Sequence, residues 1–422
     1  MSETIVVLKS RDLVTEFETL LDEQGLVASR IKGLPRFFVF ADMTPDAFPL
    51  RDYVGIETIE SGDTPLHPEA NQPQATPMTE QMAGGYNTIE HGGWAPARII
   101  RRKSPWRAPN HTTAAEATFP CLRTGVGVDV FMIDSGCYVS HDQFEGRAQQ
   151  PWMYDGVLDT PLDGTGHGTA CLSAVGGRTF GVAREVQMYS YKFHGSGEGV
   201  SSVAFITAMG AIKDDYEQNA ASNRPGVLFC SWGGFGSTIN AAITDCIDVG
   251  LPCCFPAGNS ILDLDQVQMF PAEGDPDAII CGGLNVRDRP YYTFDGWGTS
   301  FGSPIDVVSP GQDVVVAMRP EDGGYYASIG SGTSYSTPYV VGVLACMLEG
   351  YDRLSTRAEV RALKDKLKAN ATRGELQRGY APGSVVPDPS DPDNEIHRMA
   401  DHILYLDPTI AFEEIPGLTP SS

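Results

Sequence analysis

The sequence predicts an α/β protein, a mainly parallel sheet with helices on both faces, preceded by a small ferredoxin-like α+β unit. Three observations carry this. Apolar strand-like runs alternate with helical stretches from residue 94 to about residue 375. The first sixty residues read as a separate set of short elements in the order βαββαβ. Between the two lies a segment broken by Pro65, Pro68, Pro73 and Pro77 and by Gly84, Gly85, Gly92 and Gly93, the composition of a linker.

In the N-terminal unit, "ETIVVLK" is a strand by its β-branched content. "LVTEFETLLDEQG" then places Leu13, Phe17, Leu20 and Leu21 on one helical face, with Gly25 as the stop. "LVASRI" and "RFFVF" read as the second and third strands. "MTPDAFPLRDY" offers Thr44 as N-cap and Pro45 at the first helical position, and Pro49 limits that helix to a turn or two. "GIETIE" closes the unit as a fourth strand. The expected division is therefore residues 1–62, a linker over 63–93, a main domain over 94–380 and an acidic, Pro-rich tail over 381–422. That tail includes the short apolar segment "HILYLDPTIAF", which reads as a docking strand or a partly ordered extension.

Composition narrows the function. The chain has 422 residues, 41% of them apolar, so it can bury a sizeable core. A formal charge of −24 disfavours nucleic acid as a partner, because neutralising phosphates requires clustered Lys and Arg. The basic cluster Arg98, Arg101, Arg102 and Lys103 reads as a solvated or ion-paired segment. No apolar run is long enough to span a membrane. The start "MSETIVVLKSRDL" lacks the pattern of a signal peptide, and nine cysteines with no C-x-x-C pair fit a reduced set of buried small residues. Cys253 and Cys254 in "LPCCF" read as core. The expectation is a cytoplasmic or virion-associated protein that binds no nucleic acid and no membrane.

Three motifs carry chemistry. "VGVDVFMIDSG" delivers Asp134 at the end of an apolar strand, where α/β sheets place functional groups. "DGTGHGTACLSAVGG" sets His167 among glycines at the start of a small-residue helix. "GSGTSYSTP" sets Ser334 at the mouth of another, with Pro338 expected in its first turn. A serine hydroxyl is a poor nucleophile until a neutral imidazole removes its proton, and the imidazole needs a carboxylate to hold its tautomer. All three groups are present, each beside small residues that permit close approach of a substrate.

With these motifs in the order Asp, His, Ser, the sequence resembles the subtilisin-like serine proteases. "IDSG", "HGTACLSA" and "GTSYSTP" look like the family's three signatures, "SWGG" like its substrate-pairing strand and "PAGNS" like the segment carrying the oxyanion asparagine, here Asn259. The resemblance implies a serine endopeptidase with Asp134, His167, Ser334 and Asn259 as catalytic residues. It also implies a protein or peptide substrate held by Ser231, Trp232, Gly233, Gly234, Pro256, Ala257, Gly258 and Thr333. Residues 1–62 look like the family's inhibitory propeptide, with a self-processing cleavage between Glu60 and Gly93, and "WAPARI" looks like the start of the mature enzyme. No cofactor is required for catalysis on this reading. Several members of the family bind structural calcium, so calcium stays open here with its ligands unassigned, and the acidic "DLD" at 263–265 reads as solvated.

The sequence departs from the family pattern at Ala170, where a second histidine is usual, and at Tyr335-Ser336, where Met-Ala is usual. Neither position carries the proton transfers; Tyr335 is bulky enough to affect substrate fit. His141 and His194 read as structural or surface residues, and His397 and His402 lack the spacing of a helical metal pair. Two other classes stay open: a catalytically silent relative used as a structural or binding component, and an esterase, although no G-x-S-x-G elbow surrounds Ser334.

Overall fold

A computed structural model describes residues 2–62, 65–66, 76–77, 93–105, 119–157, 160–195, 200–233, 236–267, 271, 274–293, 296–318, 327–377, 401–412 and 414–421. Most of the expected linker and the Pro-rich part of the tail lie outside the described residues.

The N-terminal strands are β1 (Glu3–Leu8), β2 (Ser29–Ile31), β3 (Leu34–Ala41) and β4 (Ile56–Ser61). They form an antiparallel sheet in the order β2-β3-β1-β4, the order of a ferredoxin-like sheet. Helix α1 (Val14–Gln24) ends at Gly25, whose φ of 65° is the left-handed C-cap that glycine adopts at no steric cost. The second expected helix is only a 3-10 turn, Pro45–Ala47, and Thr44 makes no side-chain cap. The unbroken apolar runs of β1 and β3 serve two faces. Val6, Leu8, Phe38 and Phe40 join Phe17 and Leu21 in the unit's own core. Ile5, Val7, Phe37 and Val39, one residue out of phase, belong to the core of the main domain.

The main domain is a seven-stranded sheet, β14-β13-β12-β11-β7-β9-β8, with every pairing parallel. In chain order its strands are β7 (Asp129–Asp134), β8 (Ala148–Met153), β9 (Gln187–Lys192), β11 (Gly226–Cys230), β12 (Cys253–Pro256), β13 (Ile279–Leu284) and β14 (Val307–Pro310). Helices α4 (Ser202–Gln218) and α5 (Ser237–Asp248) pack together, as do α3 (His167–Gly176) and α6 (Thr333–Leu348). Adjacent residues of β7 separate the two layers. Phe131 lies 6.2 Å from Tyr216 of α4, whereas Met132 and Asp134 border Gly168 of α3. Helices α2 (Trp94–Ile99) and α7 (Arg357–Asn370) complete the domain.

The N-terminal sheet covers α4 and α5. The turn at Gly33 lies so close that a Cβ there would fall 2.0 Å from the Gly210 carbonyl oxygen. Arg36, buried, donates to Asp245 of α5 at 2.7 Å and also reaches Glu57. The Glu60 carboxylate sits at the N-terminus of α5 and accepts from Ser237 N and Oγ (both 2.6 Å), Thr238 N (3.0 Å) and Thr238 Oγ1 (2.8 Å). Burial by itself would raise the Glu60 pKa. The donors of Ser237 and Thr238 outweigh it and hold the carboxyl below its ordinary value.

Beyond β4 the chain pairs twice with the main domain. β5 (Pro65–Leu66) runs antiparallel to β10 (Val200–Ser201). β6 (Thr76–Pro77) runs antiparallel to β16 (Ala327–Gly330), which also pairs with β15 (Val314–Ala317). At the other end of the chain, residues 401–412 and 414–421 are built into the main domain: Ile403 bridges Val308 and Thr372, and Leu404, Leu406, Ile415 and Leu418 lie in its core. The basic cluster is ion-paired through Arg98, buried against Asp288. No helix among the described residues is long and apolar enough to cross a membrane.

Candidate active site

In the parallel sheet the chain leaves β7 for β8 and β9 on one side and returns to β11 on the other. That places a crevice at the carboxyl ends of β7 and β11, the position where open α/β sheets gather functional groups. Asp134 ends β7 and is fully buried. His167 opens α3 after Gly166, whose φ of 82° turns the chain into the helix. Its Nδ1 lies 2.9 Å from Asp134 Oδ1 and 3.0 Å from Oδ2.

A buried carboxylate, Asp163, shapes the loop before His167. It accepts from Ser135 Oγ (2.7 Å), Gly166 N (2.8 Å), Thr169 N (2.8 Å) and Thr169 Oγ1 (2.6 Å). Gly168 allows the helix to approach: a Cβ there would lie 2.1 Å from the Gly136 carbonyl oxygen. Sequence reasoning missed Asp163; its place in the D-x-T-G-H run, with hydroxyls at Ser135, Thr165 and Thr169, was the available signal.

Burial would by itself lower the His167 pKa. The charge of Asp134 outweighs that effect, and the ring is held well above its ordinary value. For Asp134 the opposite balance holds: burial pushes its pKa up, and the charge of His167 with its hydrogen bond brings it below the usual value. The Cys171 thiol lies one helical turn on, with Sγ 3.7 Å from His167 Nε2 and 3.8 Å from Nδ1. Burial raises its pKa, so at neutral pH it is a thiol and carries no charge. Among the described residues, Asp134, His167 and Cys171 are a group whose donor atoms lie within 4.8 Å of one another. A nitrogen, a sulfur and one carboxylate suit a softer metal than calcium, which takes six or more oxygens.

Ser334 is the second residue of α6, fully buried. Its Oγ donates to the Ser231 carbonyl at 3.1 Å, and Ser231 Oγ donates back to the Ser334 carbonyl at 2.9 Å. The second bond has a local cause. Pro338 stands in the second turn of α6, not the first, and offers no N–H to the Ser334 carbonyl four residues earlier. The freed oxygen is taken by Ser231 Oγ and, at 3.5 Å, by the Cys171 thiol.

Asn259 follows β12 and is buried. Its Oδ1 accepts from Thr333 N (2.8 Å), Thr333 Oγ1 (2.9 Å) and the Tyr291 hydroxyl. A Cβ at Gly332 would lie 3.6 Å from both Asn259 Nδ2 and Oδ1 and 3.7 Å from Ser334 N, and the oxygen is already taken by Thr333 and Tyr291. Two N–H donors thus border one small volume next to Ser334.

The other expected site residues divide. Ser231, Trp232 and Gly233 follow β11 beside Ser334, and the Trp232 ring is 6.0 Å from His167. Pro256, Ala257 and Gly258 lead into Asn259. Gly234 lies outside the described residues. Thr333 anchors Asn259 and is fully buried. Tyr335 is 1% exposed and packs 6.0 Å from the His167 ring, so its bulk supports the histidine from inside. His141 is buried, its Nδ1 accepting from Gln143 N at 3.1 Å. His194 is no surface residue: it is 4% exposed and 4.2 Å from Trp232. His397 lies outside the described residues.

Residues 123–383 match the model of the subtilase family. Proteinase R of Parengyodontium album is 31% identical over 252 residues, 59% of this chain and 61% of that protein. A cuticle-degrading serine protease of Arthrobotrys oligospora is 28% identical over 255 residues, covering 60% and 58% respectively. The chain therefore spans about three-fifths of the length of these relatives. The crystal structure of a cold-adapted subtilisin-like serine proteinase matches 74% of this chain and 97% of its own, at 25% identity and a TM-score of 0.56. These relatives overturn one expectation. A protease that degrades cuticle acts outside the cell, so they point to secretion rather than to a cytoplasmic or virion-associated protein.

Proposed function

The chain belongs to the subtilase family, and on that premise we propose that it is a serine endopeptidase made as a self-processing zymogen. The observation that carries the reading is the Asp134–His167 pair, with both carboxylate oxygens within 3.0 Å of Nδ1. Nδ1 held in this way leaves Nε2 as the base. Ser334 Oγ attacks the peptide carbonyl as His167 takes its proton; the C–N bond breaks as His167 returns that proton to the leaving amine; water then repeats the sequence on the acyl-enzyme. Asn259 Nδ2 and Ser334 N donate to the oxyanion in both steps. The substrate pairs in extended form with residues 231–233 and is walled by residues 256–258. Because the groups that hydrolysis requires are all present, a silent relative is disfavoured. Calcium is left as a structural option without ligands.

The zymogen part is supported by the N-terminal sheet on α4 and α5 and by the two short pairings that follow it. β5 pairs with β10, and β6 pairs with β16, whose last residue, Gly330, is four before Ser334. The chain between Leu66 and Thr76 joins these two pairings in sequence, the second of them four residues before Ser334, and the processing bond is proposed there. The test is the intact mass of the wild-type chain beside that of Ser334→Ala. The expected result is a wild-type product whose new N-terminus falls within 67–76, and an uncut mutant. If both stay full length while the wild type hydrolyses protein, the zymogen reading fails; if neither is cut and nothing is hydrolysed, the endopeptidase reading fails.

A further inference from the structure

Two polar side-chain atoms beside the proposed substrate strand are buried and, among the described residues, make no hydrogen bond: Trp232 Nε1 and His194 Nε2. Native interiors hold few such atoms, and each one asks for an explanation. Here both occur together, on rings whose centroids are 4.2 Å apart.

Their chemistry is complementary. The indole N–H can only donate. His194 Nδ1 lies 3.1 Å from the Gly195 carbonyl oxygen, which puts the ring proton on Nδ1 and leaves Nε2 as an acceptor. Burial also lowers the His194 pKa and keeps the ring neutral. One fixed donor and one fixed acceptor therefore sit on neighbouring rings.

Their position ties them to the path of an extended substrate. Trp232 follows Ser231, whose carbonyl accepts from Ser334 Oγ. His194 follows Phe193, whose N–H donates to the Asp134 carbonyl at 3.1 Å. A few residues on, β10 pairs with β5. The Trp232 ring lies 6.0 Å from that of His167, so the pair borders the imidazole that serves the nucleophile.

Resting on the endopeptidase reading, we propose that Trp232 and His194 form a subsite for a carboxamide side chain, glutamine or asparagine, on the N-terminal side of the scissile bond. The amide oxygen accepts from Trp232 Nε1–H, and the amide N–H donates to His194 Nε2. A carboxylate would set its charge against the His194 lone pair, and an aliphatic side chain would leave both ring atoms unsatisfied. The segment between β5 and β6 supplies three carboxamides, Asn71, Gln72 and Gln74, so the chain's own processing segment carries the chemistry that the subsite selects.

The test uses the full chain, incubated until its mass is constant, and quenched peptides that place Gln, Asn, Leu, Glu or Ser in turn at each of the four positions before the scissile bond. At one position the Gln or Asn peptide is expected to exceed the Leu and Glu peptides about tenfold or more in kcat/KM. Trp232→Phe keeps a ring and removes the donor, and His194→Phe removes the acceptor; each is expected to cut that ratio to about threefold or less. The wild-type scan decides even if a variant fails to fold. Equal rates at all four positions, a preference for Ser, or a carboxamide preference that survives both substitutions overturns the subsite. So does failure to cleave any peptide while a fluorophosphonate labels Ser334. Failure of both cleavage and labelling removes the endopeptidase reading instead, and the subsite with it.

Discussion

Replacing Glu60 should loosen the N-terminal unit's hold on the main domain by an amount that can be worked from four hydrogen bonds. The carboxylate accepts from the backbone N–H and hydroxyl of both Ser237 and Thr238, a capping role supplied from another part of the chain, 177 residues away. Loss of a helix cap costs about 1–2 kcal/mol, and loss of a negative charge at a partly buried helix N-terminus adds up to about 2 kcal/mol. Water partly replaces the lost acceptor, because the site is half-buried, so Glu60→Ala should cost about 2–3 kcal/mol of docking. That is about 30- to 150-fold in affinity. The assay is dilution of processed enzyme: activity appears as the cleaved unit dissociates, and the Glu60→Ala protein should reach half its full activity at a concentration higher than wild type by that factor. Glu60→Gln, which keeps an acceptor without the charge, should fall between. The effect has a defined pH dependence. A carboxyl whose docked pKa is lowered contributes fully above its ordinary value of about 4.3 and loses that contribution as pH falls through the docked value. Superimposable dilution curves for wild type and Glu60→Ala at neutral pH would refute this account of how the unit is held.

Three further outcomes are expected. Hydrolysis should decline as pH drops through the His167 pKa, because the general base must be neutral; that pKa is raised, so the acid limb should centre above about 6.5, and a flat rate from about pH 8 to about pH 5 would contradict the assignment. Asn259→Ala should lower kcat about 10²- to 10³-fold with little change in KM, a magnitude that comes from the corresponding donor in subtilisin itself; a mainly KM effect would place Asn259 in ground-state binding instead. Ser231→Ala removes one of two side-chain donors to the Ser334 carbonyl among the described residues and should cost about 1–3 kcal/mol of stability in urea unfolding, together with a fall in kcat; an unchanged midpoint would mean that the oxygen is satisfied without Ser231.

What the sequence determined by itself is what short stretches of chain impose. The runs ending at Asp134 and opening at His167 and Ser334 place each group at a strand end or a helix start, and each relies on neighbouring glycines for its approach. The paired faces of β1 and β3 were also present locally, since "IVVL" and "FFVF" are apolar in both phases of the strand alternation. Local pattern likewise suggested a second helix after Thr44, but the two prolines allow only a 3-10 turn. It suggested a first-turn Pro338, although helix α6 begins early enough to put it in the second turn and free the Ser334 carbonyl. Tertiary structure alone decided the remainder, because those contacts join residues that are far apart in the chain and whose types are individually unremarkable. Glu60 reads as one more surface carboxylate until α5 supplies its donors. Ile403 reads as a tail residue until it pairs with Val308. His194 has no motif and the "SWGG" motif says nothing of what the Trp232 ring meets; only folding brings a buried donor and a buried acceptor onto rings whose centroids are 4.2 Å apart. Burial and hydrogen-bond satisfaction belong to the assembled interior, so no window of sequence contains them.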